Sequence, residues 1–161
     1  MKILKYVFIV VLFFQFNHSI AQKNFTVEAD AKFANEAYFS AIDLYKKADV
    51  KAKNDPNEKA RICFQLAECY RLSVEPEQAQ TYYNRCILLK YQQKQPMVLL
   101  HLAEVLMEQG EYAEAEINIK SYIEIDSENQ YANDLLSSCA KAVEWKESPT
   151  KHIIQDEVLI N

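Results

Sequence analysis

Large and small apolar residues recur along this chain in the same order and at near-constant spacing. One copy runs Leu66-Ala67-Glu68-Cys69-Tyr70, then Ala79, Tyr83 and Cys86. The next runs Leu102-Ala103-Glu104-Val105-Leu106, then Gly110, Tyr112, Ala115, Ile119 and Tyr122. An earlier copy supplies Ala29, Phe33, Tyr38, Ala41, Tyr45 and Ala48. The alanines at 41, 79 and 115 mark steps of 38 and 36 residues. A unit of this length predicts stacked helical hairpins, an all-α fold in which function sits on a surface rather than in a catalytic pocket. The hairpins are expected over residues 23–35 and 37–53, then 57–72 and 76–91, then 96–109 and 112–125. Asp55-Pro56 and Gln95-Pro96 mark breaks between units. A last helix, capped by Asp126 or Ser127, runs to about Lys146 and ends at Ser148-Pro149. It carries Leu135, Leu136, Ala140, Ala142 and Trp145, and Trp145 is expected to cover the apolar end of the stack.

The pattern resembles the tetratricopeptide repeat (TPR). That family places small residues at unit positions 8, 20 and 27, a large one at 11 and an aromatic at 24, so that two helices approach closely and bulky neighbours fill the space beside them. Here the second unit holds Ala67, Tyr70, Ala79, Tyr83 and Cys86, a good match. The third holds Ala103, Leu106, Ala115, Ile119 and Tyr122, where the bulky Tyr122 is a departure. In the first unit Lys32 falls at position 11, with Phe33 beside it. The family's Trp at position 4 is absent, with Phe25, Cys63 and Leu99 standing there. The resemblance implies a right-handed superhelix of about three hairpins with a capping helix over residues 22–147.

Composition agrees with helices. A single glycine in 161 residues cannot supply the turns of a β-sandwich, a propeller or a dinucleotide-binding domain. The chain also has ten tyrosines and eight phenylalanines, and Tyr38, Tyr45, Tyr70 and Tyr83 fall where hairpins would bury them.

Residues 1–21 have a different character. Lys2 and Lys5 precede an apolar run from Tyr6 to Phe16, and Ser19-Ile20-Ala21 follows. This is the layout of a secretory signal with a cut between Ala21 and Gln22. The run is short of the roughly 20 residues that span a bilayer, which favours a cleaved signal over the alternative of an uncleaved membrane anchor, and no other segment could cross, so no transmembrane span is expected after cleavage. No cysteine follows the cut to carry a lipid. The mature chain of 140 residues would keep 16 basic and 23 acidic side chains, a formal net charge of −7 once Lys2 and Lys5 are gone. That balance opposes nucleic-acid binding and offers no polybasic patch to acidic lipids.

The segment 148–161 carries two short β-prone runs, His152-Ile153-Ile154 and Val158-Leu159-Ile160, with no partner strands in the chain. Such runs either fold back on the helices or begin a further β-rich domain. Together with the signal, Lys23-Asn24-Phe25-Thr26-Val27-Glu28, Ala41-Ile42-Asp43-Leu44-Tyr45-Lys46, Ala67-Glu68-Cys69-Tyr70-Arg71 and Trp145-Lys146-Glu147-Ser148-Pro149-Thr150, the tail makes the chain similar to the N-terminal repeat region of Bacteroidetes OmpA-family envelope proteins. Some of that family are tied to gliding and type IX secretion. The resemblance implies an exported protein, periplasmic or outer-membrane-associated, that acts as a scaffold for protein partners in the cell envelope. In that family a β-propeller, a carboxypeptidase-regulatory-like domain and a peptidoglycan-binding domain follow the repeats. None is present here, so peptidoglycan binding passes to no residue of this chain.

Candidate chemistry is sparse. Cys63, Cys69, Cys86 and Cys139 sit at repeat positions on helices. Helix axes pack about 8–10 Å apart, whereas a disulfide needs Cα atoms within about 7 Å, so these read as small buried residues. There is no Cys-x-x-Cys and no His pair at helical spacing, so no metal is expected. His101 has no nucleophile at catalytic spacing and reads as a polar helix-face residue. The pairs Glu104 with Glu108 and Glu111 with Glu114 read as solvated charge, since acid–base work needs a pocket that separates two pKa values. A phosphate loop cannot be built with one glycine. An enzyme, a cofactor and a small-molecule substrate are therefore not expected. The alternatives to a scaffold are a small periplasmic enzyme or metal site built on Cys63, Cys69, Cys86 and His101, and a purely structural spacer.

What remains is a binding groove. In stacked hairpins the first helix of each unit lines the concave side. The resemblance places Arg61, Phe64, Glu68, Arg71 and Leu72 there from the second unit, and Met97, Leu100, Glu104, Met107 and Glu108 from the third. If the last helix opens a fourth unit, Tyr131, Asp134 and Lys141 join them. Phe64 and Leu100 share a unit position and read as apolar anchors not required by the core. Arg61 and Arg71 beside them read as free to pair with an acidic segment. The carboxylate-gripping Lys and Asn of the family's chaperone-binding subset are replaced by Phe64 and Glu68, then by Leu100 and Glu104, which excludes that subset as a guide.

Overall fold

The computed structural model describes residues 25–148, and these form seven α-helices and one short 3₁₀ turn. The helices are α1 (25–34), α2 (Tyr38–Lys51), α3 (Pro56–Leu72), α4 (Pro76–Leu88), α5 (Met97–Glu108), α6 (Tyr112–Ile123) and α7 (Gln130–Glu147). Among the described residues there is no strand. No helix among them is long and apolar enough to cross a membrane. The expected signal over 1–21 and the tail from Pro149 onward lie outside the described residues.

Local chemistry sets the helix starts. Asp55 caps α3, its Oδ1 accepting from the backbone N–H of Asn57 and Glu58 at 3.1 and 3.0 Å, and Pro56 occupies the first turn. Pro76 likewise occupies the first turn of α4, where Glu75 makes no side-chain cap. The cap of α7 is Asn129, not Asp126 or Ser127: its side-chain oxygen takes the Ala132 N–H at 3.1 Å, while Asp126 binds the Asn129 amide instead. The helix expected over 76–91 ends at Leu88, because Lys90 turns left-handed (φ 57°) and Tyr91–Gln93 continues as a 3₁₀ turn. That turn brings the Tyr91 ring to 5.9 Å from Phe64.

Each hairpin closes with the same turn, made from three different residues. Glu36, Val74 and Gly110 adopt φ of 57°, 59° and 75°. In each, the left-handed residue donates its N–H three residues back (Phe33, Arg71, Met107). The next residue donates five back, to Lys32, Tyr70 and Leu106. This is the Schellman arrangement, which favours glycine because a Cβ is penalised there.

Two layers result. Side-chain bonds link α1 to α3 (Asp30–Arg61), α3 to α5 (Arg71–Glu104) and α5 to α7 (Glu104–Tyr131), which makes one layer of first helices. The second helices form the other, with Arg85 of α4 donating twice to Asp49 of α2 at 3.0 and 3.1 Å. Each helix from α2 onward packs on its successor. Ala41, Ala67, Ala79, Ala103 and Ala115 are fully buried between helices, as the spacing requires, and Leu66, Tyr70, Leu102 and Leu106 fill the core beside them. Tyr122 is buried too, and its hydroxyl accepts from the Asn129 amide at 3.1 Å, which accommodates the large side chain at a small position.

The end of the stack differs from expectation. Trp145 is 71% exposed. It lies six residues, about 240° of helix, beyond Cys139, so it points away from the Ala132–Cys139 line that α7 lays on the core. The covering is done by Ala132, Cys139 and the half-buried Leu135 and Leu136. Lys146 fastens the far end, donating to the Gly110 carbonyl at 3.1 Å.

Candidate protein-binding groove

The first-helix layer carries two polar clusters. In the first, Arg61 of α3 donates to Glu58 through Nε and Nη2 (3.0 and 3.2 Å) and to Asp30 through Nη1 (3.2 Å). Asp30 also accepts from the Tyr45 hydroxyl at 2.6 Å. Burial, and then Asp30, push the Tyr45 phenol well above its ordinary range, so it stays a donor.

The second cluster centres on Glu68. This buried carboxylate accepts from Arg71 Nη2 at 2.8 Å, from His101 Nδ1 at 2.6 Å and from the Tyr83 hydroxyl. Burial alone would raise its pKa, but the bonds from His101, Arg71 and Tyr83 outweigh that and hold it at about 2. An ionised carboxylate only accepts, so the His101 proton sits on Nδ1. Arg71 continues the chain, donating from Nε to Tyr83 (3.2 Å) and from Nη1 to Glu104 (3.5 Å), and Glu104 accepts from the Tyr131 hydroxyl. Burial and then the Glu104 bond push the Tyr131 phenol up to about 12. Three helices are thus fixed against one another along the inner face.

Two expected anchors are not on that face. Phe64 is 8% exposed and stacks nearly parallel on His101 (13°, centroids 6.5 Å), with Tyr83 and Tyr91 at 6.4 and 5.9 Å. Leu100 is fully buried. The reason is the stack itself: α3 is covered by α2, by α4 and by the 3₁₀ turn, so buried positions run round most of its circumference. A reading of one hairpin at a time leaves out the neighbours that cover these residues. Glu68 is likewise interior. His101 is a partly buried network member rather than a free helix-face residue, with its side chain 17% exposed.

The accessible face is built from other members of the expected set. Arg61, Arg71 and Glu104 are partly exposed, and Met97 and Met107 half-buried. Leu72 is 39% and Tyr131 51% exposed. Glu108, Asp134 and Lys141 are open to solvent. Tyr83, missed as a partner of Glu68, had a signal in the sequence: a carboxylate inside the stripe Leu66–Tyr70 must find buried partners.

All four cysteines are buried and unpaired. Burial raises Cys63 to about 11 and Cys69 to about 12, and raises Cys86 and Cys139 as well, which suppresses thiolate chemistry. Among the described residues no group of three His, Cys, Asp or Glu is placed to hold a metal.

Neither a family model nor a curated protein matches the sequence. Solved structures match the fold. The first TPR of Spaghetti (RPAP3), bound to the HSP90 peptide SRMEEVD, is similar over 76% of this chain and 93% of its own, with 17% identity and a TM-score of 0.65. The Sgt2 TPR domain from Aspergillus fumigatus is similar over 84% and 89%, with 19% identity and a TM-score of 0.64. The Yersinia enterocolitica type III secretion chaperone SycD, in complex with a peptide of the translocator YopD, is similar over 78% and 93%, with 22% identity and a TM-score of 0.60. The chain therefore has an all-α superhelical fold of the TPR kind.

Proposed function

We propose that this chain is a non-enzymatic scaffold that holds a segment of a partner protein along the face formed by Arg71, Leu72, Glu104, Met107, Tyr131 and Asp134. The observation that carries this is the Glu68–Arg71–Glu104–Tyr131 chain of bonds, which fixes α3, α5 and α7 in advance and leaves Leu72 and Tyr131 open beside it. A preordered surface with exposed aromatic and aliphatic side chains loses little entropy on binding. Peptides held by the RPAP3 domain and by SycD support the same use of the fold. A photo-crosslinking amino acid at Leu72 or Tyr131 should trap a partner, and one at Ile117, exposed on α6 in the other layer, should not. Trapping only from Ile117 would move the site to the opposite layer.

The finer reading is an exported protein of the cell envelope, akin to the N-terminal repeat region of OmpA-family proteins. The charged start, the apolar run through Phe16 and Ser19-Ile20-Ala21 support export. Mass spectrometry of envelope fractions should find the chain beginning at Gln22, and an intact Met1 there would refute it.

A further inference from the structure

The charges of the inner face point to the chemistry of its occupant, an inference that rests on the groove reading above. Arg61 and Arg71 are the cations that α3 brings to this face. All three guanidinium nitrogens of each already donate within the chain: those of Arg61 to Glu58 and Asp30, those of Arg71 to Tyr83, Glu104 and Glu68. Two of the three partners of Arg71 are themselves carboxylates, Glu68 and Glu104, so an acidic ligand reaching for its remaining N–H groups would meet like charge on either side. The carboxylates are disposed the other way. Glu108 lies one turn beyond Glu104 along α5 and Asp134 one turn beyond Tyr131 along α7, so each shares its helix face with a member of the Arg71–Glu104–Tyr131 chain. Both are exposed, and among the described residues neither is in an ion pair; the Asp134 carboxylate accepts from the neutral Gln130 amide, at 2.9 Å. Lys141 is exposed on the same side of α7, but two turns, about 10 Å, further along.

We propose that the groove takes an extended basic segment of a partner protein, with Lys or Arg set among aliphatic or aromatic residues. Its apolar side chains lie on Leu72, Met107 and Tyr131, and its cations face Glu108 and Asp134. This reverses the expectation that Arg61 and Arg71 would meet an acidic segment, and it separates this face from one suited to an acidic peptide such as the SRMEEVD seen on the RPAP3 domain.

The test uses the full chain and three pools of fluorescent dodecamers with Leu, Ile, Val and Tyr at alternate positions. The remaining positions carry Lys, Gln or Glu. Anisotropy should rank the pools Lys, then Gln, then Glu, with the Lys pool weakening steeply as salt rises. The double variant Glu108→Lys with Asp134→Lys should weaken the Lys pool about tenfold or more. Reversal of two carboxylates in the other layer and its turns, Glu114→Lys with Glu124→Lys, should leave it within about twofold, which separates a local site from net charge. Preference for the Glu pool, or equal loss from both reversals, overturns the inference. If in that case Leu72→Ala with Tyr131→Ala still abolishes binding, the groove reading stands without its charge preference. If no pool binds, or binding ignores the Leu72 and Tyr131 changes, the groove reading falls as well.

Discussion

Replacing Val74 by glycine is expected to stabilise this protein. Val74 sits at φ 59°, a conformation in which an L-residue's Cβ crowds the following carbonyl at roughly 1–2 kcal/mol, and branching at Cβ adds to the crowding. The side chain is 80% exposed, so little packing is lost with it. Against this, glycine gains freedom in the unfolded chain worth roughly 0.5–1 kcal/mol. The net gain is then about 0.5–1 kcal/mol, a rise in Tm of roughly 2–4 °C for a domain of this size. The third hairpin supplies the reciprocal experiment. Gly110 holds the same turn at φ 75°, and a Cβ there would meet only the Lys146 Nζ at 4.0 Å. Space is therefore not limiting, and Gly110→Ala should cost about 1 kcal/mol through the backbone alone. Paired thermal and urea melts of the two variants should move in opposite directions. A Val74→Gly protein that melts at or below the parent, with unchanged cooperativity, would refute the claim that the three turns share one strained geometry.

Four further outcomes follow from the packing and the polar network. The Glu68 carboxyl is held at about 2, below its ordinary value, so its contribution is full above about pH 5 and is lost as pH falls toward 2. Urea melts at pH 5 and pH 3 should show the parent losing roughly 1–3 kcal/mol more than Glu68→Gln, and parallel losses would contradict the network. Phe64→Ala should cost roughly 3–5 kcal/mol, as expected of a buried aromatic; a loss under 1 kcal/mol would return Phe64 to the surface. Ala103→Leu should overpack the α5 contact and cost about 1–3 kcal/mol, with an unchanged melt showing the register to be wrong. Trp145→Ala should change stability by no more than about 0.5 kcal/mol, and a large drop would mean that the indole covers the stack after all.

The helices and their order were legible in the sequence because they rest on local information. The small residues at Ala67, Ala79, Ala103 and Ala115 act within a hairpin, Pro56 and Pro96 mark its borders, and the steps of 38 and 36 residues repeat it. Helix ends were read less well where side chains compete for the same backbone group, as Asn129 does with Asp126. The turn shared by Glu36, Val74 and Gly110 was invisible because only one of the three is the residue that the backbone prefers.

The tertiary structure decided which parts of the first helices remain open. Phe64 and Leu100 follow the repeat as faithfully as Arg71 and Glu104 do, yet the first pair is interior and the second pair is not. A helix inside a stack is covered from its own hairpin and from the next, so exposure depends on neighbours that no single unit contains. The charges follow the same rule. Arg61 meets Asp30 at a separation of 31 residues, and both His101–Glu68 and Arg71–Glu104 span 33. Sequence alone places arginines and carboxylates on the first helices; only the folded stack shows that Arg61 and Arg71 already meet carboxylates while, among the described residues, Glu108 and Asp134 meet no cation, because ion pairs need contact within a few ångströms and the repeat fixes contact only between hairpins already in place.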